Sequence, residues 1–93
     1  MTIGSDMLLK ASQVIKERGL TYGPMNQNMD RIAALWAVCL GVPVTPVQVA
    51  CCMVAVKLAR LVQTPGHEDS AIDIAGYAAV LRECQEDSDV RNS

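Results

Sequence analysis

The sequence predicts an all-α protein, a compact bundle of about four helices completed by oligomerisation. Three observations predict this. Apolar residues recur at spacings of three and four and nowhere alternate, which is the helical and not the strand period. Glycine and proline fall at Gly19, Gly23-Pro24, Gly41 to Pro46 and Pro65-Gly66, and divide the chain into four pieces of helical length. Finally, 51% of the 93 residues are hydrophobic while only 3% are aromatic and none is Phe. A domain of this size buries roughly 60–65% of its unfolded surface. So much aliphatic side chain calls for a second copy to cover part of it.

The first helix is expected to begin near Ser5, a good N-cap followed by Asp6 at the positive end of the helix. Met7, Leu8, Ala11, Val14, Ile15 and Arg18 share one face, and all but the arginine are apolar. Gly19 is the expected stop. The second helix starts between Pro24 and Asn28, carries Met29, Ile32, Ala33, Trp36 and Leu40 on one side, and ends at Gly41. Trp36 at this spacing is expected in the core. Thr45, Pro46 and Gln48 form the clearest start signal in the chain: N-cap, first-turn proline and capping box. From Val47 to Val56 the only polar residue is Gln48, so this third helix is expected at the centre of the bundle. It stops at Thr64-Pro65-Gly66. The fourth helix follows His67-Glu68-Asp69 and lines up Ile72, Ala75, Ala79 and Arg82, with Gly76 and the alanines letting a neighbour come close. Residues 1–84 then form a single helical domain, and 85–93 a polar, frayed tail.

Composition also excludes functions. A net charge of −2 and a pI near 5.1 lack the basic excess of a nucleic-acid binder. No signal peptide is visible at the N-terminus. The longest apolar region, 32–56, is interrupted by Gly41, Pro43 and Pro46, so no membrane span is expected and the chain is expected in the cytoplasm. Cys39, Cys51, Cys52 and Cys84 lack the spacing of a zinc site and lie within helical patterns. They are expected to be reduced, buried and free of metal.

The residues that can carry chemistry are few. His67 is the only histidine, and no glycine-rich phosphate loop occurs. Lys57 and Arg60, three apart, share a face near the end of the third helix. Glu68, Asp69 and Asp73 open the fourth. The short connection makes these helices antiparallel neighbours, which brings the cations to the anions. Two readings follow. One is an ion-pair cluster, Arg60 with Asp69 or Asp73, that holds the hairpin. The other is a site for a phosphorylated ligand, with Lys57 and Arg60 on phosphate oxygens and the carboxylates on hydroxyls or a metal. Tyr22 is placed to stack on a base. Asn26 and Asn28 are helix caps or ligand-binding amides, and Tyr77, one turn after Asp73, extends the same site or packs.

The runs R-G-L-T-Y-G-P-M-N-Q-N (18–28), I-A-A-L-W (32–36), K-L-A-R-L (57–61) and H-E-D-S-A-I-D-I-A-G-Y-A-A (67–79) resemble a small phage and prophage protein family of unknown function. That family is often placed beside the MazG-like, all-α nucleoside triphosphate pyrophosphohydrolases. Such enzymes hold Mg²⁺ with an E-E-x-x-E motif on one helix and E-x-x-D on the next. Asp69 and Asp73 echo the second motif, spaced four apart instead of three. The helix that should carry the first, 47–61, contains no Asp or Glu.

Three functions follow from the resemblance and the residues together. The leading one is an oligomeric phage protein that binds a nucleotide or nucleotide-derived signalling molecule without a cofactor and without turnover, and so sequesters it against host defence. Its ligand would touch Tyr22, Asn26, Asn28, Lys57, Arg60, Asp69, Asp73 and Tyr77. The alternative is a Mg²⁺-dependent pyrophosphohydrolase using Glu68, Asp69 and Asp73, with Asp30 or Glu17 of a partner subunit completing the metal site. The third is a helical module that docks on another protein through an exposed apolar patch. Three or more converging carboxylates would favour the enzyme; cations beside an aromatic face would favour the binder.

Overall fold

The computed structural model describes residues 2–92; Met1, Ser93 and the side chains of Tyr22, Asn26 and 87–92 lie outside the described residues. Four helices follow one another: α1 (Ile3–Tyr22), α2 (Met25–Leu40), α3 (Pro46–Gln63) and α4 (Glu68–Asn92). No strand occurs among the described residues, so the all-α bundle is the fold.

Capping explains most of the helix ends. Thr45 and Gln48 exchange the expected bonds: the Gln48 backbone N–H donates to Thr45 Oγ1 at 3.1 Å, and the Thr45 N–H to Gln48 Oε1 at 2.9 Å. α2 stops at Gly41, which sits in the left-handed region (φ 72°, ψ 20°) that costs glycine little. The ends of α1 differ from expectation. Thr2, and not Ser5, is the N-cap; Ser5 stands three residues on and completes a reciprocal capping box with it. Gly19 does not stop the helix, because a lone glycine only weakens a helix. The stop comes at Gly23, with φ 80° and its N–H bonded to the Gly19 carbonyl at 3.0 Å. Pro24 follows and disfavours helix in the residue before it. At α4 the cap is His67: its Nδ1 accepts from the Ser70 backbone N–H at 3.2 Å and lies 2.7 Å from the Ser70 hydroxyl, which is fully buried. The expected boundary at Gln85 is not a helix end. No Gly or Pro follows Gly76, Arg82 pairs with Glu86 one turn on, and the α4 backbone stays helical to Asn92.

The central helix is α4, not α3. It packs against all three others, whereas among the described residues the backbones of α1 and α3 do not approach each other. The reason is size. Around Ser70, Ala71, Ala75 and Gly76 the helix is slim enough to be approached from several sides. The core is correspondingly built from small or flexible side chains: Met25, Met29, Ala33, Val49, Val80 and Cys84, with Ile15, Ile32, Trp36, Met53 and Tyr77 half-buried against them. α3 buries only Val49 and Ala50 completely and turns an apolar face outward. Three of the four cysteines go with such outward faces: Cys39, Cys51 and Cys52 are exposed, and only Cys84 is buried. Their apolar neighbours in sequence mark an uncovered surface here, not the core.

α3 also corrects the expectation that no segment is suited to a bilayer. By length and composition it is one helix long and apolar enough to cross a membrane. In this fold it is one wall of the bundle, packed on α2 and α4.

Burial separates the thiols kinetically. Cys84 is expected to react with a thiol reagent only when the bundle unfolds, at the rate of global opening measured by amide exchange. Reaction of all four at one native-state rate would contradict this packing.

Candidate functional site

A bundle with no Phe and a core of alanine and methionine does not close completely. Between α1, α2 and α4, with Met53 of α3 at its base, lies a cleft of about 200 Å³. Its walls are mainly apolar: Ala11, Val14 and Ile15 from α1, Met25, Met29 and Ile32 from α2, Ile72 and Val80 from α4. Gly76 forms part of the α4 wall. A Cβ placed there would meet only Ile15 Cγ1, at 4.0 Å.

Four polar side chains converge on this cleft: Arg18, Asn28, Asp73 and Tyr77. Asp73 is held by Lys57, whose Nζ donates to its Oδ2 at 3.0 Å, with the lysine side chain 11% and the aspartate 17% exposed. The expected ion pair between α3 and α4 therefore exists, but Lys57 makes it, not Arg60. Among the described residues the Asp73 carboxylate pairs with Lys57 through Oδ2, and Asp73 lines the cleft. Asn28 and Tyr77 are half-buried and Arg18 is exposed; among the described residues the side chains of these three make no hydrogen bond or ion pair.

Of the residues singled out from the sequence, the cleft gathers Asn28, Asp73 and Tyr77, with Lys57 behind Asp73. Arg60 and Asp69 are exposed and line no part of it. The side chains of Tyr22 and Asn26 lie outside the described residues. Glu68 faces solvent and accepts from Lys10 Nζ at 2.8 Å. Among the described residues no three His, Cys, Asp or Glu side chains cluster as metal ligands would. Glu68, Asp69 and Asp73 do not fit a divalent ion: one is tied to Lys10 and one to Lys57, while Mg²⁺ needs several hard oxygens together. Arg18 is the residue the sequence reading passed over. Its signal was present, a lone cation on the otherwise apolar stripe of the first helix.

The Lys10–Glu68 pair is exposed on both sides. The hydrogen bond, then the charge, of Lys10 holds the Glu68 carboxyl below its usual 4.5, and the same contacts raise Lys10 above 10.5. A depressed carboxyl stabilises the fold above its unfolded value and loses that contribution as pH falls through the folded one. The raised lysine contributes below 10.5 and loses it as pH rises further. Exposed pairs contribute little. Glu68→Gln should therefore give a small drop in Tm at neutral pH and low salt, which fades as the folded carboxyl becomes protonated below its ordinary 4.5 and in roughly 1 M salt. An undiminished drop at acid pH would contradict it. At Gly76, alanine removes a helix-interior glycine with room for the new methyl. Gly76→Ala should stabilise by about 0.5–1 kcal/mol in urea unfolding, and a loss of stability would mean the α1–α4 approach is closer than described.

Comparison with known proteins gives a consistent family. Residues 6–85 match the model of a domain of unknown function, DUF6378. The chain is 41% identical over 87 residues to the Gene 55 protein of Mycobacterium phage L5, and 33% over 85 residues to that of Mycobacterium phage D29. These alignments cover 91% and 89% of this chain but 56% of each relative, so the chain spans little more than half their length. No solved structure matches. No similarity to MazG-like enzymes emerges from these comparisons.

Proposed function

The chain belongs to the DUF6378 family of phage proteins, and from its cleft we propose that it binds a nucleotide or nucleotide-derived molecule without turning it over. One observation carries the reading. An apolar cleft of about 200 Å³ is lined at its polar positions by a cation, an amide, a carboxylate and a phenol, and the cation, amide and phenol make no side-chain hydrogen bond or ion pair among the described residues. Small-molecule sites have this composition, apolar walls with a few convergent polar groups. The size suits a base or nucleoside, with any phosphate left at the mouth.

The roles follow from chemistry. Val14, Ile32 and Met53 offer apolar surface to a flat ring. The Asn28 amide both donates and accepts, as a base edge requires. Asp73 Oδ1 accepts from a hydroxyl. Arg18, exposed and without an ion pair among the described residues, binds an anionic group through its forked donors. Lys57 is a weaker choice for phosphate, since Asp73 already neutralises it; its part is to position that carboxylate. The absence of three clustered metal ligands among the described residues favours binding over Mg²⁺-dependent hydrolysis. Sequestration of a signalling molecule in the cytoplasm of an infected host is the role that fits such a binder.

Titration calorimetry with a nucleotide panel, cyclic species included and with and without Mg²⁺, tests this. Wild type should bind at least one member, independently of Mg²⁺, and return it intact. Charge-assisted hydrogen bonds contribute about 1.5–3 kcal/mol. Arg18→Ala, at an exposed position, should thus raise Kd by about one to two decades and leave Tm unchanged. No binding by any member at millimolar concentration would overturn the proposal. Mg²⁺-dependent release of pyrophosphate would replace it with the hydrolase.

A further inference from the structure

We infer that the outward face of α3 is a self-association surface, and that its occupant is a second copy of this chain. The face is defined by Cys51, Cys52, Ala55, Leu58, Ala59 and Val62, which recur every three or four residues and point away from Val49, Ala50 and Met53. All six are exposed, Val62 to 84% and Leu58 to 51%. None is charged. Arg60 falls on the side of α3 shared with Lys57, away from this stripe. On α2 and its loop Leu35, Val38 and Val42 are exposed as well.

The area fits a partner of this size. The chain exposes 6335 Å², where a monomer of its 10.0 kDa mass is expected to expose about 5,200 Å². Its radius of gyration is 14.2 Å, against about 12 Å for a compact chain of this length. The length of α4 and the exposed apolar side chains of α1, α2 and α3 all contribute to that excess. A stable interface takes roughly 800 Å² from each partner, which is of the same order.

Charge selects the occupant. In a two-fold contact each residue meets the same patch on the other copy, so a charged patch repels itself and an uncharged apolar one does not. The small side chains of Cys51, Cys52, Ala55 and Ala59 also let two helices approach closely. An anionic membrane surface is the poorer match. The stripe has no basic rim and the chain is net negative, whereas interfacial helices present Lys and Arg beside their apolar face.

The test is sedimentation equilibrium of the 93-residue chain across micromolar concentrations, with thiol reactivity read in parallel. Wild type should have a mass near twice 10.0 kDa, and Cys51 and Cys52 should react more slowly as concentration rises. Ala55→Glu and Val62→Glu should each raise the dissociation constant at least 100-fold while leaving helical circular dichroism unchanged. Ser12→Glu, exposed on α1, should have no effect. A wild-type monomer at 100 μM overturns the inference, as does a dimer whose mass ignores both glutamates. Co-sedimentation of the wild-type monomer with phosphatidylglycerol vesicles would assign the face to lipid instead.

Discussion

The arrangement depends on the ion pair between Lys57 of α3 and Asp73 of α4. The two side chains are more than four-fifths withdrawn from solvent and meet at 3.0 Å. Neither charge would be stable there alone, since removing an ion from water costs several kcal/mol that only a well-placed counter-charge offsets. The pair therefore fixes how α3 lies along α4, and α4 is the helix on which the other three rest. It also holds by one oxygen the Asp73 carboxylate, which lines the cleft. One contact sets both the helix hairpin and the polar end of the candidate site.

The rest of the structure follows from side-chain size. With no Phe, and with alanine, glycine and serine along the first half of α4, the helices approach closely but do not fill the space between them. Native cores are close-packed, so an apolar cleft left among Met29, Met53 and Tyr77 is a feature that a ligand can exploit. The same composition places more aliphatic surface on the chain than four short helices can turn inward. The surplus stands on α1, at Ile3, Leu8, Leu9 and Leu20, on the end of α2 and on α3. The inside thus lacks bulk and the outside has apolar surface to spare, so one composition underlies both the candidate cleft and the proposed association surface.

Much of this was legible in the sequence wherever a backbone rule applied. Thr45-Pro46 with Gln48, and Gly41, mark helix ends through hydrogen bonds and φ values that few other residues supply, and they appear where expected. The proximity of Lys57 to Asp73 was legible from the short connection between the third and fourth helices. Which cation makes the pair was not: Lys57 and Arg60 differ by less than one turn, and only the helix–helix rotation decides. Burial was misread for a different reason. An apolar stretch such as 47–56 signals surface that wants covering, but not by what. The central role therefore went to α3 and not to the alanine-rich α4, and Cys51 and Cys52 were placed inside. Arg18 was seen as a break in an apolar stripe, but without the cleft beside it the break had no meaning.

A double-mutant cycle on the α3–α4 ion pair tests the account most directly. Lys57→Met, Asp73→Asn and the double variant are to be compared with wild type by urea unfolding, with helical content checked for each. Each single change should be destabilising, and the double variant should recover part of the loss, giving a coupling of about 1–3 kcal/mol. A coupling within about 0.3 kcal/mol of zero would contradict the account, because the two charges would then not be what joins α3 to α4.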